Sequence, residues 1–386
     1  GNLILLVFFV ISARTFFCSS LFDFASSLLN VSNIASLAAR RRISPMLKIL
    51  LSYFQIASGL SFAYELRFPP VFSNTITYFS SIVTFDFIAI MPMNCMTSTD
   101  YYTSLVVYTI IPIMLGIMLL FTSLALHKMD SSRMKRMSNH LFDIFLTLTF
   151  IVLPSASVKI FRTFSCQTFD DGYGRYLKAD FSLSCETDDH KWYETYAGLM
   201  AVVFPIGIPA FYYYKLRSVK HKLDPGQKKY EVTIGAERGM KKAIQEREDN
   251  ADNETMQLSF LWRAYEPKCW WFECFETIRK LVLSGGLVML APGTVSQIIM
   301  SMLLCLGSMR VYSGYQPFIS DDHDILAELS QWQLFFTMLA ALILKVEASF
   351  APNEFQDRVA FDWILTLMQF ITPTIGMVQA FAPEET

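Results

Sequence analysis

Four charged residues that could do chemistry lie close together in an otherwise apolar stretch, Trp270–Pro292. They are Glu273, Glu276, Arg279 and Lys280. Residues three and four apart share a helix face, so Glu276 can pair with Arg279 or Lys280, with Glu273 one turn earlier. A lone charge at mid-bilayer costs about 2.5–3.5 kcal/mol, so charges inside a span indicate a bundle interior, a water-filled cavity or a pathway. The alternative is a helix that begins near Phe275, with the charges at the headgroups.

The composition of the whole chain predicts a polytopic membrane protein. Its 386 residues are 53% hydrophobic and 17% charged, whereas a soluble domain is about 25% charged. The net charge of −2 gives no nucleic-acid signal, and the five His and seven Cys show no metal-ligand spacing. His190 beside Asp188 and Asp189 is typical of a solvated acidic loop. The lipid bilayer is therefore the expected partner, with no nucleic acid, no cofactor, no metal and no enzymatic activity.

Long apolar runs predict an all-α transmembrane helix bundle of about nine spans. The runs are Asn2–Phe22, Met46–Tyr64, Tyr102–Leu126, His140–Val158, Tyr193–Tyr214, Trp270–Pro292, Val295–Tyr312, Ile325–Val346 and Val359–Phe381. A further piece, Val71–Met91, carries Asp86 and is broken by Pro92, and it could be a span, a re-entrant segment or an interfacial helix. The topology given below favours a re-entrant or interfacial helix.

We expect residues 1–386 to form one transmembrane domain with four parts. Residues 1–45 hold the first span and a basic connector, and 46–214 hold spans 2 to 5 with an extracellular cysteine loop at 163–192. Residues 215–257 form a cytoplasmic insert, predicted to be mobile because it is dense in charge and has no apolar period. Residues 258–386 hold the last four spans. Because the chain opens at Gly1 inside an apolar run, we expect it to be a piece of a longer protein.

The basic connectors set the predicted topology. The basic connectors are Ala39–Lys48, His127–Arg136 and Lys215–Arg263. Lys and Arg residues accumulate in the connectors on the cytoplasmic side of a membrane protein. Placing all three inside puts the N-terminus outside and the C-terminus inside, provided that 71–91 does not cross.

This topology places three cysteines outside the cell, where disulfides persist. A bridge between Cys166 and Cys185 would close the acidic loop. The alternatives are a bridge from Cys95 to either of them, or three free thiols.

Two further features could serve transport. Pro205-Ile-Gly-Ile-Pro209 should bend or break its span, because proline removes helix hydrogen bonds; its break residues are Pro205, Gly207 and Pro209. Polar residues recur on several spans and could line a path, although many lie near span ends, where they cost little. They are Asp143, Glu328, Gln331, Gln333, Asp362 and Gln369.

Several short motifs carry a resemblance. They are Leu47-Lys-Ile-Leu-Leu-Ser-Tyr-Phe-Gln55, Phe164-Ser-Cys166, Tyr176-Leu-Lys-Ala-Asp180 with Cys185, Pro205–Pro209, Leu261–Tyr265 and Glu276-Thr-Ile-Arg-Lys280. Over about residues 45–345 the chain resembles the C-terminal membrane region of large oomycete, algal and ciliate proteins with ephrin-receptor-like cysteine-rich ectodomains. That region is similar to transient receptor potential channels. The resemblance implies a large extracellular portion before this chain.

The sequence leaves three functions open. The first is a channel-like domain that could conduct cations, which the polar residues on the spans favour. The second is a membrane anchor for a large extracellular or ciliary surface assembly, such as an adhesin or filament, with extracellular structural proteins or other subunits as partners. The third is a lipid or solute transporter, which would need a second broken span in an internal repeat. In each case we expect the plasma or ciliary membrane. The chain has no potassium-filter sequence and no arginine-repeat voltage sensor.

Overall fold

A computed structural model describes residues 34–64, 68–83, 100–129, 131–169, 174–289, 293–350 and 358–381. Predictions for the first span, Asp86, Pro92 and Cys95 lie outside the described residues. The chain divides into two compact units, residues 1–48 and 49–386. In the first unit the described residues, 34–48, are helical. All the contacts below lie within the second unit.

The longest elements are α-helices. In chain order they are α1 Ile34–Ala63, α2 Pro70–Val83, α3 Tyr101–His127, α4 Ser132–Thr163, α5 Asp188–Ala201 and α6 Ile208–Ser218, the last two joined by a π-helical turn at Val202–Gly207. The insert and its connector hold α7 Lys220–Leu223, α8 Gln227–Ile234, α9 Ala236–Asp249, α10 Asn253–Gln257 and α11 Ser259–Trp262. The last set is α12 Phe272–Ser284, α13 Val295–Tyr315, α14 Asp321–Phe350, α15 Arg358–Gln369 and α16 Ile371–Phe381.

Five of the described helices are long and apolar enough to cross a membrane. They are Tyr101–His127, Ser132–Thr163, Asp188–Ser218, Val295–Tyr315 and Asp321–Val346. A membrane-spanning helix needs about 20 residues because each residue rises about 1.5 Å. The described part of the protein is mostly helical, and these five helices are compatible with an integral membrane protein.

The predicted count of about nine spans does not agree with these five. Helix α12, at the sixth predicted span, has only 13 residues and reaches about 20 Å. It ends where Gly285 and Gly286 lead into a 3-10 turn, Gly286–Met289. The ninth predicted span is divided at Phe370 into α15 and α16, of 12 and 11 residues. Helix α1 contains the second predicted span and is not among the five.

The predicted cysteine loop contains a small antiparallel sheet. Its strands are β1 Cys166–Phe169, β2 Gly174–Leu177 and β3 Asp180–Ser184, in that order. The first strand begins just after α4 ends, and the third strand leads into α5. The sequence analysis did not predict this sheet, because each strand is too short to show an alternating pattern.

The insert is helical and contacts the connector that follows it through Gln227 and Arg247, and its predicted mobility stays a prediction. Helices α8 and α9 pack as a hairpin in which a Cβ at Gly239 would lie 2.4 Å from the Glu231 nitrogen. Gln227 and Arg247 are buried, at 0% and 2% exposure. Close backbone approach and two buried polar side chains thus hold together a segment with few apolar residues.

The sheet and the insert's connector lie at opposite ends of α4. Ser259, which follows the insert, donates to Asp143 in the first half of α4 at 3.2 Å. The sheet begins just after Thr163, the last residue of this helix, which lies 20 residues or about 30 Å along the helix from Asp143. A membrane around the bundle would therefore separate the disulfide-bearing sheet from the insert.

Candidate functional site

The central helix α12 is buried among other helices. Ten of its 13 residues are buried, and all four predicted charges are among them. Glu273 is 1% exposed, Glu276 8%, Arg279 7% and Lys280 1%. Protein therefore encloses all four charges, and the choice between a bundle interior at mid-bilayer and the depth of the headgroups stays a prediction.

Arg279 and Glu276 form a two-point ion pair. Arg279 Nε donates to Glu276 Oε1 at 3.1 Å, and Nη2 donates to Oε2 at 2.9 Å. The remaining terminal nitrogen, Nη1, donates to Gln331 Oε1 at 2.7 Å. The Tyr312 hydroxyl donates to Glu276 Oε1. These four side chains, on α12, α13 and α14, are named the charge cluster.

The other two charges of α12 face different neighbours. Glu273 Oε2 accepts from the Tyr265 hydroxyl at 3.0 Å. Lys280 Nζ donates to the Phe150 carbonyl oxygen at 3.4 Å and lies 3.6 Å from the centre of its ring. Of the two partners predicted for Glu276, the structure therefore selects Arg279.

Tyr265 connects the insert to α12, a link that the sequence analysis missed. Arg247 Nη1 donates to the Tyr265 carbonyl oxygen at 2.8 Å, and its guanidinium lies 4.6 Å from the ring centre of Trp262. Burial lowers the pKa of Arg247 to about 10. An arginine in a charge-dense helix gives no sequence signal of burial, so only its position against Tyr265 shows this role.

Gln333 and Gln369 form a second polar group between helices. Gln333 donates to the Met368 carbonyl oxygen and accepts from the Thr372 hydroxyl. Gln369 accepts from the Tyr53 hydroxyl and donates to Thr337 Oγ1 at 3.1 Å. These bonds join α1, α14, α15 and α16, so both glutamines contribute to helix packing.

Asp362 caps a helix in another part of the chain. Its carboxylate accepts from the backbone nitrogens of Val71 and Phe72 at 2.9 and 2.8 Å. The first amides of a helix have no partner within it and carry partial positive charge, so a carboxylate stabilises them. Asp362 thus provides hydrogen-bond acceptors for two backbone N–H groups at the start of α2.

The remaining predicted polar residues are less buried. Asp143 accepts from Ser259 and is partly buried. Glu328 is partly buried and has no hydrogen-bond or ion-pair partner among the residues that the structure describes. Its neighbours on the same face of α14, Ile325 and Trp332, are 52% and 41% exposed. The predicted polar residues therefore do not form one continuous group.

The proline motif is accommodated without interrupting its helix. Residues Asp188–Ser218 form one continuous helix, in which Pro205 and Gly207 lie in the π-helical turn and Pro209 lies in the first turn of α6. A Cβ at Gly207 would lie 2.9 Å from the Val202 carbonyl oxygen. The wider turn receives the proline ring, and only glycine fits beside that carbonyl. Where the sequence predicts a bend or a break, the structure thus has a π-helical turn within one continuous helical run.

Cys166 and Cys185 are joined by a disulfide. His190, 3% exposed, lies next to it in the first turn of α5. The backbone nitrogen of His190 donates to Thr187 Oγ1 at 3.3 Å, a helix cap. The alternative partner, Cys95, lies outside the described residues.

No protein-family model, curated protein or solved structure matches this chain. The fold is that of a helix bundle that contains a buried ion pair, and five of its described helices are compatible with an integral membrane protein.

Proposed function

We propose that the chain is the membrane domain of a channel-like assembly, related to transient receptor potential channels, that conducts cations along a path between copies of the chain. The observation that carries this proposal is the position of the Glu328 carboxylate. Its carboxylate lies on a face of α14 that also presents Ile325, Trp332 and Phe336, each at least 41% exposed.

A carboxylate on an apolar helix face is costly in lipid, by about 2.5–3.5 kcal/mol near the bilayer centre. Glu328 is seven residues after Asp321, the first residue of α14, so it lies about 10 Å along the helix. A second copy or a water-filled path that covers this face would remove the cost. Carboxylates that line such a path select cations.

The other buried charges support a path between copies rather than within one chain. Glu276 and Gln331 both accept hydrogen bonds from Arg279, and Gln333 and Gln369 bond to neighbouring helices. Groups whose hydrogen bonds are used in packing do not coordinate a passing ion. Opening a path through the charge cluster would require breaking its ion pair.

The insert indicates which side of the proposed channel faces the cytoplasm. The insert and the basic connector His127–Arg136 both fit the cytoplasmic side by the positive-inside rule, and the disulfide fits the oxidising outside. This orientation belongs to the proposal, as does a plasma or ciliary membrane.

Cation flux into proteoliposomes tests the proposal. Glu328→Gln should lower the preference for cations over anions, because it removes the path's carboxylate. Glu254→Gln, at an exposed glutamate of α10, is the matched control and should conduct like the parent. Equal cation preference in the parent and Glu328→Gln would contradict the assignment of Glu328.

A membrane anchor is the second candidate. It is favoured because the buried charged groups already form hydrogen bonds and ion pairs with other residues of the bundle. Polar contacts between membrane helices contribute about 0.6 kcal/mol each, so these groups can serve as packing alone. Purified parent that folds and forms oligomers but gives no flux of any ion would favour the anchor.

A further inference from the structure

The disulfide, a buried histidine and a tyrosine form a group that takes no part in the proposed ion path. Cys166 Sγ lies 3.7 Å from His190 Nε2, and the Tyr102 hydroxyl lies 2.8 Å from His190 Nδ1. The Tyr102 ring stacks on Tyr193, with ring centres 4.1 Å apart and planes within 3°. The histidine is therefore fixed on both sides, with Nε2 directed at the sulfur.

This arrangement has the donor set of a zinc site. The two sulfurs and a ring nitrogen of His190 all lie within 4.8 Å of one another. Tetrahedral zinc has Zn–S bonds of about 2.3 Å and Zn–N bonds of about 2.0–2.1 Å, which hold sulfur and nitrogen about 3.6 Å apart. The observed 3.7 Å between Cys166 Sγ and His190 Nε2 already has this spacing.

Tyr102 supplies the outer contact that metal-binding histidines use. A zinc-bound histidine has its second ring nitrogen held by an oxygen, which fixes the tautomer and orients the ring. A proton on Nδ1, shared with the Tyr102 oxygen, leaves the Nε2 lone pair free to bind a metal ion. The spacing of the cysteines and histidine in the sequence gave no metal motif, because the sheet brings distant residues together.

We propose that reduction of the Cys166–Cys185 disulfide creates a Zn²⁺ site made of both thiolates and His190 Nε2, with water in the fourth position. A dithiol reductant transfers two electrons and two protons to the disulfide and becomes a disulfide itself. Zn²⁺ then displaces the two thiol protons, and the imidazole donates its lone pair. The oxidised protein has no thiolates at this position, so metal binding is controlled by the redox state.

Cobalt titration of the purified full chain tests this proposal. The protein is reduced with a phosphine, which takes oxygen from water as it becomes a phosphine oxide, and is then desalted without oxygen. Reduced parent should show a thiolate-to-cobalt charge-transfer band that saturates at one ion per chain and is abolished by zinc. Oxidised parent should show no such band. A reduced parent without the band would overturn the proposal.

Variants separate this site from the other thiols. His190→Gln keeps every cysteine and should weaken cobalt binding at least tenfold, whereas His221→Gln, at an exposed histidine, should bind like the parent. Tyr102→Phe, which keeps the stacked ring, should weaken binding about 10–100-fold. Equal affinity of the His190→Gln and His221→Gln variants, or a band that persists in Cys166→Ser/Cys185→Ser, would assign the metal to other cysteines and overturn the proposal.

Discussion

Replacing Glu276 by glutamine should destabilise the protein strongly. Glu276 accepts two hydrogen bonds from Arg279 and one from Tyr312. Glutamine has one oxygen, and its amide group would face the guanidinium with a donor where an acceptor is needed. Arg279 would then keep its charge in the bundle with Gln331 as its partner in the charge cluster.

Removing one member of a buried ion pair costs about 3–5 kcal/mol in soluble proteins, because the other charge is left uncompensated. We expect a loss of that size for Glu276→Gln. The double variant Glu276→Gln with Arg279→Gln should recover part of the loss, because no uncompensated charge remains. A Tyr312→Phe variant should lose about 1.5–3 kcal/mol, the contribution of one hydrogen bond to a charged group.

Thermal unfolding in detergent can be followed through buried thiols. Cys269, Cys274 and Cys305 are at most 6% exposed and react with a thiol-specific fluorophore once the bundle opens. Glu254→Gln is the control and should melt like the parent. If Glu276→Gln also melts like the parent, the ion pair does not lie in a dry interior and the description of α12 is wrong.

Two further predictions concern packing and pH. Gly59→Ala should destabilise the protein by about 1–3 kcal/mol, because the new Cβ would lie 2.7 Å from the Ser284 carbonyl oxygen. The control Gly198→Ala meets no atom within 4 Å and should be neutral or stabilising in the same melting assay. Equal melting of the two variants would contradict the close approach of α1 and α12. The pKa of Asp252 is lowered to about 2, because its carboxylate accepts hydrogen bonds from the Lys222 ammonium group and from the backbone and side chain of Thr255. This carboxylate therefore stabilises the fold above its ordinary pKa of 3.8, and the contribution is lost as the pH falls towards about 2. The melting difference between the parent and Asp252→Asn should shrink over that interval, and a constant difference would refute the assignment.

The long helices could be predicted from sequence because their signal is local. Apolar runs such as those in α3 and α14 exceed the bilayer length and need no knowledge of neighbours. The length of α12 could not be predicted in this way, because its apolar run continues past the helix end at Gly285. The division of the last predicted span at Phe370 places Pro373 in the first turn of α16, where a proline is tolerated because no helix hydrogen bond from its nitrogen is needed.

The sequence predicted which charged residues of α12 form the polar site, but it did not predict which of them pair. Spacing along one helix indicated that Glu276 could pair with Arg279 or Lys280. The structure distinguishes the two, because Arg279 bonds to Glu276 whereas Lys280 contacts Phe150. Arg247 gave no signal, because burial of a charged residue in a soluble insert depends on distant contacts. Asp362 was predicted as part of a path, and its bonds to the start of α2 depend on a helix far away in sequence.

Cation flux through Glu328→Cys, measured before and after treatment with a charged thiol reagent, tests the central claim most directly. If Glu328 faces a water-filled path between copies, the reagent should reach the new thiol and a positive adduct should reduce cation flux. Leu326→Cys, at a fully buried position two residues earlier, is the matched control and should keep its flux after treatment. Unchanged flux through treated Glu328→Cys, with the adduct verified by mass spectrometry, would contradict the proposed path.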